Sequence, residues 1–304
     1  MHVRVLGAAA GGGFPQWNSN SAACRRVRSG DSFARPATQA SIAVSADGRD
    51  WLIVNASPDL RQQIEANPCL HPKEGLRSTP IAAVVLTNGD VDAIAGLLNL
   101  RERTAFALHA HPRILSVLEA NPIFNVLAPG VVRREPFDVG QPAEIAGLTV
   151  EAFAVPGKVA LFLEKPGAGA DFGTQEGDTI GLEMTDPEGR RLLYIANCAA
   201  VTPELKARCA GADALFFDGT LWHDDELIVR NEGSKTGQRM GHISMSGPEG
   251  AMAALADVDT KRKIFIHINN TNPALLGDSA ERREIEAAGW EVAFDGMELS
   301  LGRH

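Results

Sequence analysis

No apolar run in this chain of 304 residues approaches the roughly 18 to 20 residues needed to span a bilayer, so a membrane protein is not expected. The opening stretch, "MHVRVLGAAAGGGFP", lacks the apolar segment and processing pattern of a signal peptide, and the expected location is the cytoplasm. No Lys/Arg-rich run stands out against a net charge of -9, which removes the electrostatic term that nucleic-acid binding needs. The four cysteines, Cys24, Cys69, Cys198 and Cys209, include no C-x-x-C pair. Neither a zinc ribbon nor a disulfide framework is indicated, and reduced thiols are expected. A hydrophobic fraction of 44% with 22% charged residues is ordinary for a globular protein and argues against disorder.

What is present is a succession of short apolar runs. Strands are predicted at Val3–Leu6, Ser41–Val44, Trp51–Asn55, Ala82–Leu86, Phe106–His109, Thr149–Phe153, Thr179–Met184, Leu192–Ile195, Ala214–Phe217, Ile264–His267 and Glu291–Phe294. Helical patterns are fewer, at Asp59–Ala66, Asp92–Arg103, Pro112–Ala120, Pro203–Cys209, Pro248–Ala256 and Ser279–Ala288. This mixture predicts a layered α/β architecture, with residues 1–304 as one domain. The Gly-rich and acidic stretch Lys165 to Asp178 reads as a loop insertion. "GAAAGGGFPQW", Gly7 to Trp17, follows a strand but runs into Pro15 instead of a helix. It therefore fails the context of a nucleotide-binding turn and reads as a tight loop close to other backbone or a ligand.

The chemistry collects at the ends of apolar runs. In "LTNGDVDAIAGLL", Asp90 and Asp92 follow a strand and precede a helical stripe, and the loop contains no histidine. Hard oxygen ligands suit Mg, Ca, Mn or Fe(II); the alternative is a turn in which Asp92 caps the helix. Asp218 in "FFDGT", His242 in "GHISMSG" and His267 in "IFIHINNTNP" sit in strand-end or loop positions of the kind where such folds place ligands and catalysts. His109 and His111 form a His-x-His pair that reads as structural, and His223 reads as a surface residue. Cys198 either lines the site or packs, and "KTGQR", Lys235–Arg239, is either a solvated loop or a cationic patch for an acidic substrate.

The order of "LTNGDVDAIAGLL", "LLYIANCA", "DALFFDGTLW", "MGHISMSG" and "IFIHINNTNP" resembles the metallo-β-lactamase fold. With "AAAGGGFPQWNSNSAAC" and "NASPDLRQQI", nearly the whole chain resembles the coenzyme PQQ synthesis protein B family. The resemblance implies an αββα sandwich, two mixed β-sheets flanked by helices. It places Asn88, Asp90, Asp92 and Ala93 where hydrolytic relatives carry His, His, Asp and His, and Asn197 where they carry the metal-bridging aspartate. The third-motif histidine is absent around "VPGK", Val155 to Lys158, so too few of the roughly seven ligands of a di-zinc centre remain. The implied role is in pyrroloquinoline quinone biosynthesis, as an iron-dependent oxygenase that hydroxylates the tyrosine ring of a Glu-Tyr-derived precursor. One Fe(II) per chain is expected on Asp90, Asp92 and His267, with zinc as an alternative occupant of the isolated protein. His242 is a further ligand or proton donor, and Asp218 orients a ligand or faces the substrate. Ser19, Ser21 and Cys24 stand where some family members carry several cysteines, so the resemblance gives no support for a structural zinc. Implied partners are the precursor, other PQQ biosynthesis proteins and a second copy of the chain. The competing reading is a non-catalytic carrier of PQQ or its precursor.

Overall fold

The computed structural model describes residues 1–164 and 175–302. Fourteen strands appear among them: β1 His2–Gly7, β2 Ser41–Ser45, β3 Trp51–Val54, β4 Ile81–Leu86, β5 Phe106–Ala110, β6 Val132–Pro136, β7 Ala143–Ile145, β8 Leu148–Ala154, β9 Ile180–Thr185, β10 Arg191–Ile195, β11 Ala214–Asp218, β12 Lys263–Ile266, β13 Trp290–Val292 and β14 Glu298–Ser300. They form two seven-stranded sheets, ordered β14-β1-β2-β3-β4-β5-β6 and β13-β12-β11-β10-β9-β8-β7. Each sheet is half parallel and half antiparallel: β3 to β6 run parallel in the first, and β10 to β13 in the second. This is the metallo-β-lactamase sandwich.

Alternation along the strands divides the side chains between two cores. Val85 of β4, Tyr194 of β10, Phe216 of β11 and Ile266 of β12 fill the space between the sheets. Their neighbours Val84 and Leu86 turn to one outer layer, and Leu193, Ile195, Phe217 and Phe265 to the other. Strands buried on both faces read as unbroken apolar runs, which is why these were evident from sequence.

Several predicted elements are shorter than expected. The helix expected at Asp92–Arg103 is a single α-turn, Val91–Ile94, followed by a 3-10 segment, Ala95–Leu100. Gly96 donates to Ala56 O at 2.8 Å, and a Cβ on it would stand 1.9 Å from Ser57 O, so the chain is pressed against its neighbour there. The segment at Pro248–Ala256 is helical only over Ala251–Ala254, and that at Glu291–Phe294 is a strand over Trp290–Val292. Strands β6, β7 and β14, and the helices Ala22–Arg28, Glu226–Val229 and Gly237–Met240, were not anticipated. The expected insertion at Lys165 to Asp178 lies outside the described residues over 165–174; Asp178 itself is tied to Arg113 Nε at 2.7 Å.

Candidate metal centre

The carboxyl ends of β4, β10, β11 and β12 meet at one edge of the sandwich, where Ile180 N donates to Thr87 O and joins the two sheets. Parallel strands release their chains in the same direction, so their following loops gather over a common cleft. Asp218 closes β11 and is fully buried. One of its oxygens accepts from Cys198 N at 2.8 Å and meets His242 Nδ1 at 2.7 Å; the other accepts from Thr220 N at 3.0 Å and Thr220 Oγ1 at 2.7 Å. Both oxygens are occupied, and the carboxylate holds a ring in orientation from beneath the cleft.

His267 follows β12 with φ 61°, in the left-handed region. Strict alternation would put it beside Phe265 on the helix-covered face, and the left-handed turn breaks that alternation. Its Nδ1 lies 2.8 Å from Thr220 Oγ1 and its Nε2 lies 2.9 Å from Asp92 Oδ2. The next residues are pinned: Ile268 N donates to Ala8 O at 3.0 Å, Asn269 N to Thr220 O at 3.0 Å, and Asn272 Nδ2 to Gly219 O at 3.0 Å. His242 stacks on His267 with ring centroids 5.3 Å apart. Ligand atoms of Asp218, His242 and His267 all lie within 4.8 Å of one another. Since Nδ1 of each ring is engaged by Asp218 or Thr220, the Nε2 atoms are the nitrogens left for the cleft.

Charge is arranged around the same contact. Burial works against the His267 imidazolium, but the hydrogen bond and charge of Asp92 outweigh it and lift the imidazole above its ordinary value. Burial likewise raises Asp92, and the same partner brings the carboxyl to a net value below normal. Asp90 moves the other way, raised first by burial and then by the nearby Asp92 charge. Its Oδ1 accepts from Leu161 N at 2.9 Å. Asp90, not Asp92, occupies the position before the helical turn Val91–Ile94, and its side chain makes no capping bond. The capping alternative for Asp92 therefore gives way to its contact with His267.

A cavity of about 350 Å³ opens beside these carboxylates, walled by Gly11, Gly12, Gln39, Val91, Leu161 and Phe162. The Gly-rich loop expected to pass close to backbone or ligand forms one side of it. Ala10 N donates to Ile268 O and Phe14 N to Ala37 O, while Gly12 N donates to Gln39 Oε1.

The comparisons agree with this architecture. Residues 50–268 match the model of the β-lactamase superfamily domain. A coenzyme PQQ synthesis protein B of Gluconacetobacter diazotrophicus is 56% identical over 303 residues, covering 97% of this chain and 98% of that protein. This chain belongs to the coenzyme PQQ synthesis protein B family. A member from Methylorubrum extorquens is 55% identical, covering 99% of this chain and all (100%) of the relative. The crystal structure of Zn(2+)-bound PqqB from Methylobacterium extorquens superposes with a TM-score of 0.96 at 54% identity, covering 99% of this chain and 100% of the other. A diphosphatase of the PhnP family shares the fold, with a TM-score of 0.69 at 20% identity over 99% of this chain and 98% of its own.

Within this family frame the two asparagines have a physical role. Asn88 Nδ2 donates to Asn197 Oδ1 at 3.0 Å, so the two amides satisfy one another across the sheets. Ala93 is buried, and its carbonyl accepts from Ala56 N. Ser21 caps the helix Ala22–Arg28, and Cys24 is buried on it.

Of the remaining sequence candidates, Cys198 meets the site through its backbone N–H on Asp218, and the others lie elsewhere. His109 packs edge-on to Phe137, and His111 accepts from Arg113 N at the start of the helix Pro112–Ala120. His223 is exposed and bonds Ser246 Oγ. Cys198 is buried, its thiol pushed up by burial. Lys235 and Arg239 converge with Lys158 on Glu164. Thr220 is the residue that sequence reasoning passed over, although "DGT" after an apolar strand marks a turn whose hydroxyl can bond back to the aspartate.

Proposed function

We propose that this chain acts in PQQ biosynthesis, the role in its relatives' names, as a non-haem Fe(II)- and O2-dependent hydroxylase of the tyrosine ring in a Glu-Tyr-derived precursor. The observation that carries the reading is the Asp92–His267 contact of 2.9 Å, with His242 stacked alongside, at the edge of a cavity with an apolar wall. Mixed carboxylate and imidazole donors fit Fe(II), and fit zinc as well. Asp90, Asp92 and His267 would hold the metal, with His242 as a further ligand or proton donor. Bound Fe(II) supplies the one-electron oxygen chemistry that no side chain here can perform.

The chain's own residues do the rest. Val91, Leu161 and Phe162, all partly exposed at the cavity, would take the flat face of the ring and displace water from it. Asp218 fixes His242 with Nε2 free to ligate or to move a proton, and Thr220 fixes His267 with Nε2 turned to Asp92. In the balanced reaction one atom of O2 enters a ring C–H bond and the other leaves as water, with two electrons from an external reductant of the ascorbate class. The reading takes residues 1–304 as one domain, supported by a core shared between the sheets.

The test is anaerobic loading of metal-free protein with Fe(II), followed by O2, ascorbate and Glu-Tyr. A product one oxygen atom heavier, labelled by isotopically heavy O2, is expected. Tight binding of Glu-Tyr without turnover would select the carrier reading, and ester or phosphodiester hydrolysis with Zn(II) alone would select a hydrolase.

A further inference from the structure

A larger cavity, of about 560 Å³, lies away from the carboxylate–histidine cluster and shares no lining residue with it. It sits at the open edge of the second sheet, bordered by β13 and by the segment that connects it to β14. Its wall is largely apolar: Trp290 and Met297 are buried, while Phe33 and Phe294 are exposed at its rim. Two guanidinium groups, Arg35 and Arg282, line the same space together with the carboxylates of Glu286 and Glu291.

Neither arginine is held in a bidentate ion pair, as two neighbouring arginines are. Arg262 is bidentate to Glu291, and Arg26 is bidentate to Asp278. Arg35 makes no hydrogen bond among the described residues; it stands over the Phe294 ring, 5.9 Å from its centroid. Arg282 donates only through Nε, to Ala274 O at 3.0 Å, and its Nη1 is 4.0 Å from the mostly exposed Glu286. Burial pushes the Arg282 guanidinium below its ordinary value, against the Glu286 charge, and the Arg35 charge adds to the lowering. Arginine stays protonated in proteins, so this strain is relieved by an anion and not by loss of a proton.

We propose that this cavity is a second ligand site, which takes a flat organic carboxylate. The carboxylate lies between Arg35 and Arg282, and the apolar body lies against Phe33, Trp290 and Phe294. The volume is within the range of small-molecule pockets, and the pairing of an apolar wall with a few convergent polar groups is the usual make-up of such sites. In a chain of net charge -9, Arg35, which has no carboxylate partner among the described residues, beside Arg282, whose contact with Glu286 is a long 4.0 Å, is what allows an anion to settle there.

The probe is 2-naphthoate, titrated calorimetrically into the full chain beside the neutral 2-naphthylmethanol and inorganic phosphate. Saturable naphthoate binding is expected, with both controls weaker by about tenfold or more, because a charge-assisted bond and the apolar contact are each lost in one of them. Arg35→Gln and Arg282→Gln should each weaken it by a similar factor, while Asp92→Ala leaves it unchanged. Arg35→Gln removes no hydrogen bond, so it keeps the test sound should Arg282→Gln fail to fold. Absence of naphthoate binding, equal binding by a folded Arg35→Gln protein, equal binding of either control, or loss of binding in Asp92→Ala would overturn the proposal.

Discussion

The hydroxyl of Thr220 lies 2.8 Å from His267 Nδ1 and 2.7 Å from Asp218 Oδ1, so one small side chain links the deepest carboxylate of the site to the ring that reaches Asp92. The same oxygen stands 3.0 Å from His242 Nδ1. A hydroxyl has one proton to donate and two lone pairs, so its bonds set which nitrogen of each ring faces the cleft.

Replacement of Thr220 by Val keeps the shape and removes that link. Metal affinity should fall by about 10- to 100-fold, the usual cost of losing a group that orients a ligand. Thr220→Ser should restore most of it. Equal metal affinity in Val and wild-type proteins, measured by competition with a chelator, would mean that Thr220 only packs.

His267→Ala should abolish hydroxylation and retained iron while the circular dichroism spectrum stays native. His109→Ala should leave turnover within about twofold and cost on the order of 1 kcal/mol, since its ring packs on Phe137 at a half-buried position. Iron lost only in the His109 variant would move the metal site to the other pair.

Reconstituted protein should hold one metal equivalent. Asn88 and Asn197 are engaged with each other and Ala93 offers no donor, so a second ion lacks ligands. Two tightly held equivalents, both lost in Asp92→Ala, would contradict this model.

Asp295 supplies a pH prediction away from the metal ligands. Burial raises its carboxyl from the usual 3.8 to about 6, against the bonds it accepts from Thr38 and Ala8. The folded state thus binds this proton more tightly than the unfolded state. The stabilisation is full below the unfolded value and is lost as pH rises through about 6, by roughly 3 kcal/mol at most. Urea stability of the wild type minus that of Asp295→Asn should fall over this window. The constant cost of the altered acceptor does not affect that slope, and a flat difference would return Asp295 to an ordinary value.

Sequence legibility followed burial. Strands covered on both faces, such as Ile81–Leu86 and Leu192–Ile195, were plain because every position is apolar. Edge strands Val132–Pro136, Ala143–Ile145 and Glu298–Ser300 were not, because half-exposed edges carry charges and weak alternation. Asp218, His242 and His267 could be singled out as polar groups in strand-end or loop positions, yet their mutual contacts depend on the register of β11 and β12 and on the left-handed turn at His267. Leu161 and Phe162 carry no local mark, since their importance arises only when loops distant in sequence meet, and "DGT" marks Thr220 only as a turn residue, not as a partner of His242 and His267.

The Asn88–Asn197 bond also bears on how such a site can change over generations. Each amide is the other's partner in a largely buried place, so replacing one by a charged ligand strands its mate and introduces an uncompensated charge. Introducing metal ligands at these positions therefore requires both to change together, with the metal present to receive them. Either single substitution should therefore cost more stability than half of the paired change, and a double-mutant cycle on the two positions reads that coupling.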